Sequence, residues 1–197
     1  MTDWTDELRR MRSAKERVRA FDADELWRFE EPRPPADADR LREVARRLGH
    51  ELDREYVSFL LEADGWPALM QDVDLFGTEE LLGSPALETA RRLVATLEPD
   101  VLTQSGLDRD ALLPIAASTT TIDFFVMPVA PADGPAPVIW IAGAEVERYT
   151  SFSDFFRHMT EENLDEAESL RAENAENAEN AENAENAENA ENAEGDD

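Results

Sequence analysis

Apolar residues recur at helical spacing over roughly the first hundred positions, then change to the two-residue alternation of strands. Trp4, Leu8, Met11 and Val18 stand near heptad spacing with charges between them, which predicts a helix over 4–21. Pro32, Pro34 and Pro35 break whatever residues 24–30 form and mark a linker or extended crossing. Leu41, Val44, Ala45 and Leu48 make the stripe of a second helix, with Asp37 or Asp39 as its cap and Gly49 as its stop. Asp53 is the expected N-cap of a third helix, with Leu52 placed to staple onto Val57. Val57, Leu60 and Leu61 are read as its inner face, and Asp64-Gly65 ends it. Gly65-Trp66-Pro67 reads as a tight corner before a short extended run over 72–76. Ser84-Pro85 opens another helix with Leu87, Ala90, Val94 and Leu97 inward, closed by Pro99.

From residue 122 the pattern is that of a sheet. Residues 122–129 are β-branched and aromatic, 138–142 read as a buried strand, and 145–150 alternate. The proline-containing stretch 131–137 predicts a hairpin connection. Ser151 and Asp154 look like a capping box, and Phe152, Phe155, Phe156 and Met159 give the last helix an aromatic face. Helices, then strands, then a closing helix imply an α+β fold, an antiparallel sheet with flanking helices. Leu41, Val44, Leu48, Val57, Leu60, Phe124, Val126, Ile139, Ile141, Phe152 and Phe156 are expected in its core.

The end of the chain is different. Residues 172–192 are seven copies of Ala-Glu-Asn. A three-residue period carries glutamates around every side of a helix, so no apolar stripe forms and like charges meet at i,i+3. A disordered or transiently helical C-terminal repeat is expected. The organisation predicted is therefore a helical extension and Pro-rich linker over 1–39, a domain over 40–164, and an acidic tail over 165–197.

Charge sharpens the functional reading. The chain has 197 residues and a net charge of −27. Residues 165–197 hold thirteen acids and one arginine, so −15 stays on the first 164. Phosphate contacts need clustered Lys and Arg, which disfavours nucleic acid. A basic protein partner would be attracted by the same field. There are no cysteines, so no disulfides and no thiolate chemistry. No apolar run is long enough to span a bilayer, and residues 1–12 lack the apolar stretch of a secretory signal, so a cytoplasmic protein without membrane contact is expected.

The order of local signals resembles a known family. Leu52-Asp53-Arg54-Glu55-Tyr56, Phe59-Leu60 and Ala63-Asp64-Gly65 are similar to the opening motif of the SUKH superfamily. That superfamily includes the yeast cell-wall assembly regulator and many bacterial immunity proteins. Leu75-Phe76-Gly77-Thr78-Glu79-Glu80-Leu81 resembles the strand and helix start that follow. Leu113-Pro114-Ile115-Ala116, the strands around Phe124 and Trp140, and Tyr149-Thr150-Ser151-Phe152 with Phe155-Phe156 resemble the remainder. The resemblance covers about residues 40–160. One departure is Asp53, where members often carry proline; either residue suits a helix N-terminus. The resemblance implies an α+β fold and no enzymatic activity, and no cofactor is expected. It also implies protein binding as the working mode, in bacteria often as an antidote that blocks a toxin.

The candidate chemistry supports little else. His50 and His158 lack the spacing of a metal site. Asp72 and Asp74, two apart in an extended run, would share a strand face, and Asp64 and Glu79 lie near in sequence. Paired carboxylates could serve as acid and base, but no phosphate loop, nucleophile or third ligand accompanies them. Ser118-Thr119-Thr120-Thr121 lacks a paired base and reads as a loop entering a strand. Trp140 is expected in the sheet core, whereas Trp66 divides evenly between core lid and exposed anchor. Asp64, Trp66, Asp72, Asp74 and Glu79 are thus the candidate partner-binding residues. The leading expectation is an immunity-type module that binds a protein, with a basic toxin domain as its partner. A regulatory scaffold of cell-wall or signalling assemblies is the second class, and a carboxylate enzyme the third.

Overall fold

The computed structural model describes residues 2–129 and 134–194. Its elements are α1 (Trp4–Phe21), α2 (Ala38–Leu48), α3 (Arg54–Leu60), β1 (Trp66–Met70), β2 (Val73–Leu75), α4 (Thr78–Leu81) and α5 (Pro85–Thr96), in chain order. They continue with α6 (Pro99–Ser105), a 3-10 turn (Arg109–Ala111), β3 (Leu112–Ser118), β4 (Phe124–Pro128), β5 (Val138–Ile141), β6 (Glu145–Tyr149) and α7 (Phe152–Glu194). The six strands form one antiparallel sheet in sequence order, β1 and β6 at its edges. The α+β fold with flanking helices is thereby shown. Of the connection expected over 131–137, residues 131–133 lie outside the described residues; the strands it joins pair Phe124 with Ile141 and Val126 with Ile139.

Both faces of the sheet are covered, which explains why β4 is a continuous apolar run rather than an alternating one. Phe125 and Met127 of β4 join one core, and Phe124 and Val126 join the other. The first core takes residues of α1, α2, α3 and α7. Trp4 stands 5.4 Å from Phe59, 5.6 Å from Phe152 and 5.5 Å from Phe156, ring to ring. Phe155 packs on Phe125 at 5.1 Å. The second core is filled by Leu87, Ala90 and Val94 of α5 and Leu102 of α6. Of the eleven residues expected inside, only Leu48 and Val57 are half-buried.

Local chemistry accounts for the helix boundaries. Asp37, Asp53 and Ser84 each accept a backbone N–H from the first turn of α2, α3 and α5. Gly49 ends α2 in the left-handed conformation, φ 81°. Three expectations are corrected. Pro99 does not close α5; it is the first residue of α6, where a missing N–H costs nothing. The inner face of α3 is Tyr56, Phe59 and Leu60, while Leu61 is exposed. Gly65-Trp66-Pro67 is not a bare corner but the start of β1, which tolerates proline because it is an edge strand.

α1 and α7 lie against each other over much of their length. Asn163 donates to Leu69 O at 3.1 Å, Ala167 is buried, and Asn174 donates to Phe21 O at 2.8 Å. Residues 175–184 of α7 are exposed. The helix runs on through the repeat to Glu194 with no apolar stripe of its own.

Candidate functional site

Three of the acidic candidates, Asp64, Asp72 and Asp74, fall into two clamps, the first built around a close backbone approach. In the first, Gly65 and Gly77 bring the start of β1 against the turn that opens α4. A Cβ on Gly77 would stand 2.1 Å from Asp64 O, and one on Gly65 would stand 2.6 Å from Gly77 N. Asp64 locks this contact, its carboxylate accepting the Thr78 N–H at 2.6 Å and the Thr78 hydroxyl at 2.5 Å. Glu80 accepts the Gly77 N–H at 2.8 Å and pairs bidentately with Arg33 at 2.6 and 2.7 Å. The Glu80 bond and its charge, opposed by burial, raise the Arg33 pKa further. The Tyr56 hydroxyl closes the cluster by donating to Phe76 O at 2.6 Å. Buried among these groups, its pKa is pushed well above the ordinary phenol value, first by desolvation and then by Glu80 and Asp64.

The second clamp surrounds the β1–β2 turn. Asp72 lies in that turn and accepts from the Ser118 and Thr120 hydroxyls and from Thr120 N–H at 3.0 Å. Burial opposes ionisation of Asp72, but these bonds outweigh it and hold the carboxyl below its usual pKa. Asp74 instead accepts from Ala68 N–H and from Arg28, both at 2.7 Å. Ala68 is left-handed, φ 50°, a conformation that disfavours side chains. It is held from both sides, because the Lys15 ammonium donates to its carbonyl while Asp74 takes its N–H. Asp72 and Asp74 therefore serve different neighbours and do not act as a carboxylate pair.

Trp66 is core, 1% exposed, with its indole N–H donating to Glu30 O at 2.8 Å. Its burial removes it as an exposed anchor. Glu79 faces solvent at the start of α4, one residue after the Thr78 that Asp64 caps. The sequence reading did not single out Glu80, Arg33 or Lys15. The usable signals were Glu80 three residues after Gly77, the spacing of a capping interaction, and the presence of just one lysine in 197 residues. Trp140 is half-buried rather than enclosed, stacked at 5.5 Å on Phe125 with its N–H on Asp123 at 2.7 Å. His50 is half-buried with its ring nitrogen beside the Glu51 carbonyl, and His158 stands among Glu147, Glu161 and Glu162 at 3.4 to 3.9 Å.

Two concavities stand out among the described residues. One, about 1150 Å³, lies between the N-terminus of α3 and the end of β4. The other, about 360 Å³, lies where residues 27–29, α1, α7 and the β1–β2 turn meet. Among the described residues no group of three or more His, Asp or Glu could hold a metal ion, and no helix is long and apolar enough to cross a membrane. The geometry is that of an acid-rich surface whose inner carboxylates are occupied by backbone amides, hydroxyls and arginines. The profile of the SMI1 / KNR4 family (SUKH-1) matches residues 35–158. No curated protein matches the chain.

Proposed function

The chain belongs to the SMI1 / KNR4 family (SUKH-1), and from that membership we propose that it is a non-enzymatic, intracellular protein-binding module of the immunity type, which holds and neutralises a toxin. The observation that carries the reading is the fate of the acidic candidates. Asp64, Asp72 and Asp74, with Glu80 beside them, hold the fold's own turns together, so none is free to act as an acid or base. The first 164 residues carry a net charge of −15, these carboxylates included. Such a charge attracts a basic protein, and toxins that act on nucleic acids are commonly basic because their substrate is a polyanion. Among the candidates, Glu79 is the exposed residue suited to face such a partner.

Capture from a lysate of the native cell on the immobilised full chain, with mass-spectrometric identification, tests this reading. Enrichment of a basic protein that elutes with salt and loses its toxicity when the chain is co-expressed is the expected result. Capture of an acidic or neutral assembly protein that is not toxic would point to the scaffold role instead. Turnover of a small substrate by the purified chain would overturn both.

A further inference from the structure

The smaller cavity lies at the seam between the family region and what surrounds it. Lys15, Trp27, Phe29 and the α7 acids come from outside residues 35–158, whereas Asp72, Asp123 and Trp140 come from within. The cavity is thus built jointly by the matched region and by the segments on either side of it. Its aromatic lining is Trp27, Phe29 and Trp140, and five carboxylates, Asp72, Asp123, Glu162, Asp165 and Glu166, line it against two cations. Both cations are committed. Lys15 donates to the Ala68 and Leu69 carbonyls, and Arg28 pairs with Asp74 at 2.7 Å and Glu30 at 3.4 Å. Two of the acids fix the indoles at the rim: Asp123 accepts from Trp140 at 2.7 Å, and Glu166 accepts from Trp27 at 3.1 Å. Asp165 is exposed and its carboxylate has no hydrogen-bond or ion-pair partner among the described residues.

An aromatic cavity with an acidic lining suits a cation and rejects an anion, the excess of carboxylates deciding the sign. Phe29 already shows the contact inside the chain: Lys15 Nζ lies 5.9 Å and Arg19 Cζ lies 5.8 Å from its ring centroid. A planar, weakly hydrated guanidinium both stacks on rings and binds carboxylates through several N–H groups, which an ammonium does less well. We propose that this cavity receives an arginine side chain of the protein partner, its guanidinium lying against Trp27 and Trp140 and bonded to the acids beside them. The proposal rests on the protein-binding reading above and names the partner's anchoring group.

Titration of the full chain with N-acetyl-arginine amide, followed through the indole N–H resonances of its four tryptophans, tests it. Trp27 and Trp140 should shift saturably while Trp4 and Trp66, buried elsewhere, stay still. The citrulline analogue, which keeps the shape and loses the charge, should not bind. Asp165→Asn, a change on an exposed helix surface, should weaken binding about threefold or more. Absence of saturation at Trp27 and Trp140, or equal binding of citrulline, would overturn the assignment. If arginine amide fails while a lysate yields a salt-eluted partner, the cavity falls and the protein-binding reading stands. If the titration saturates and no partner is ever captured, the protein-binding reading falls and the preference for guanidinium remains.

Discussion

A methyl group on Gly77 would stand 2.1 Å from the Asp64 carbonyl oxygen, and backbone cannot yield there without opening the contact between β1 and the start of α4. Gly77→Ala should therefore lower unfolding free energy by about 3 kcal/mol or more. Gly49→Ala should cost about 1 kcal/mol, because only the left-handed backbone resists it and nothing lies within 4 Å. Denaturant midpoints of the two variants check the difference. The adjacent glutamates should separate as sharply: Glu80→Ala removes the Arg33 pair and the Gly77 bond and should cost about 3 kcal/mol, while Glu79→Ala should stay within about 0.5 kcal/mol. Lys15 gives a pH signature. Burial lowers its pKa from 10.5 to about 8. Between those values the unfolded chain holds a proton that the folded chain has released, so stability should rise with pH there by up to about 3 kcal/mol relative to Lys15→Met. A flat difference profile between pH 8 and 10.5 would place Lys15 in solvent. None of this is legible from residue type alone: Glu79 and Glu80 are the same letter side by side, and only the turn at Gly77 decides which points inward. Trp66 was undecidable for the same reason, since flanking glycine and proline are equally compatible with a loop tip and an edge strand.

Elements with strong caps were the readable ones. α2 and α5 announce themselves by Asp37, Gly49 and Ser84-Pro85, and β4 by its apolar run. β1 is hidden because Pro67 is a strand breaker everywhere except at an edge, and because a bulge and left-handed Ala68 interrupt its alternation. α3 is seven residues long, too short for its period to separate a Tyr56–Phe59–Leu60 face from a Val57–Leu60–Leu61 one. α1 lies outside the family match yet places Trp4, Leu8 and Met11 in the same core as Phe59 and Phe156. The repeat-bearing helix divides by contact. Removing residues 176–197 should leave the melting temperature within about 1 °C, since residues 175–184 are exposed. Removing 165–197 also takes away buried Ala167, the Trp27–Glu166 bond and the Asn174 bond, and should lower it by about 2–4 °C or more. Scanning calorimetry of the two truncations decides it; equal melting temperatures would mean that residues 165–175 contribute no packing.

At the scale of the molecule the dominant property is its field. Family, fold class and net charge are all accessible from sequence, because the motifs encode packing in a fixed order and charge is additive. The disposition of the charge was not. Four of the carboxylates that looked like a docking face, or stood beside one, are tied into turns, so charge reversal at Asp72 or Asp74 would damage the β1–β2 turn before it altered any partner's approach. Exposed Glu79, outside both cavities, is the position at which reversal to lysine tests steering without disturbing the fold. That reversal should slow association by a modest factor while leaving the melting temperature unchanged. Long-range attraction also depends on the screening length, about 30 Å at 0.01 M salt and about 8 Å at 0.15 M. The association rate of the captured partner with the full chain across that range is therefore the most direct measurement. A rate that falls about tenfold or more, with the dissociation rate changing far less, is expected of an acidic module that draws in a basic protein. A tight partner whose association rate is indifferent to salt would contradict it.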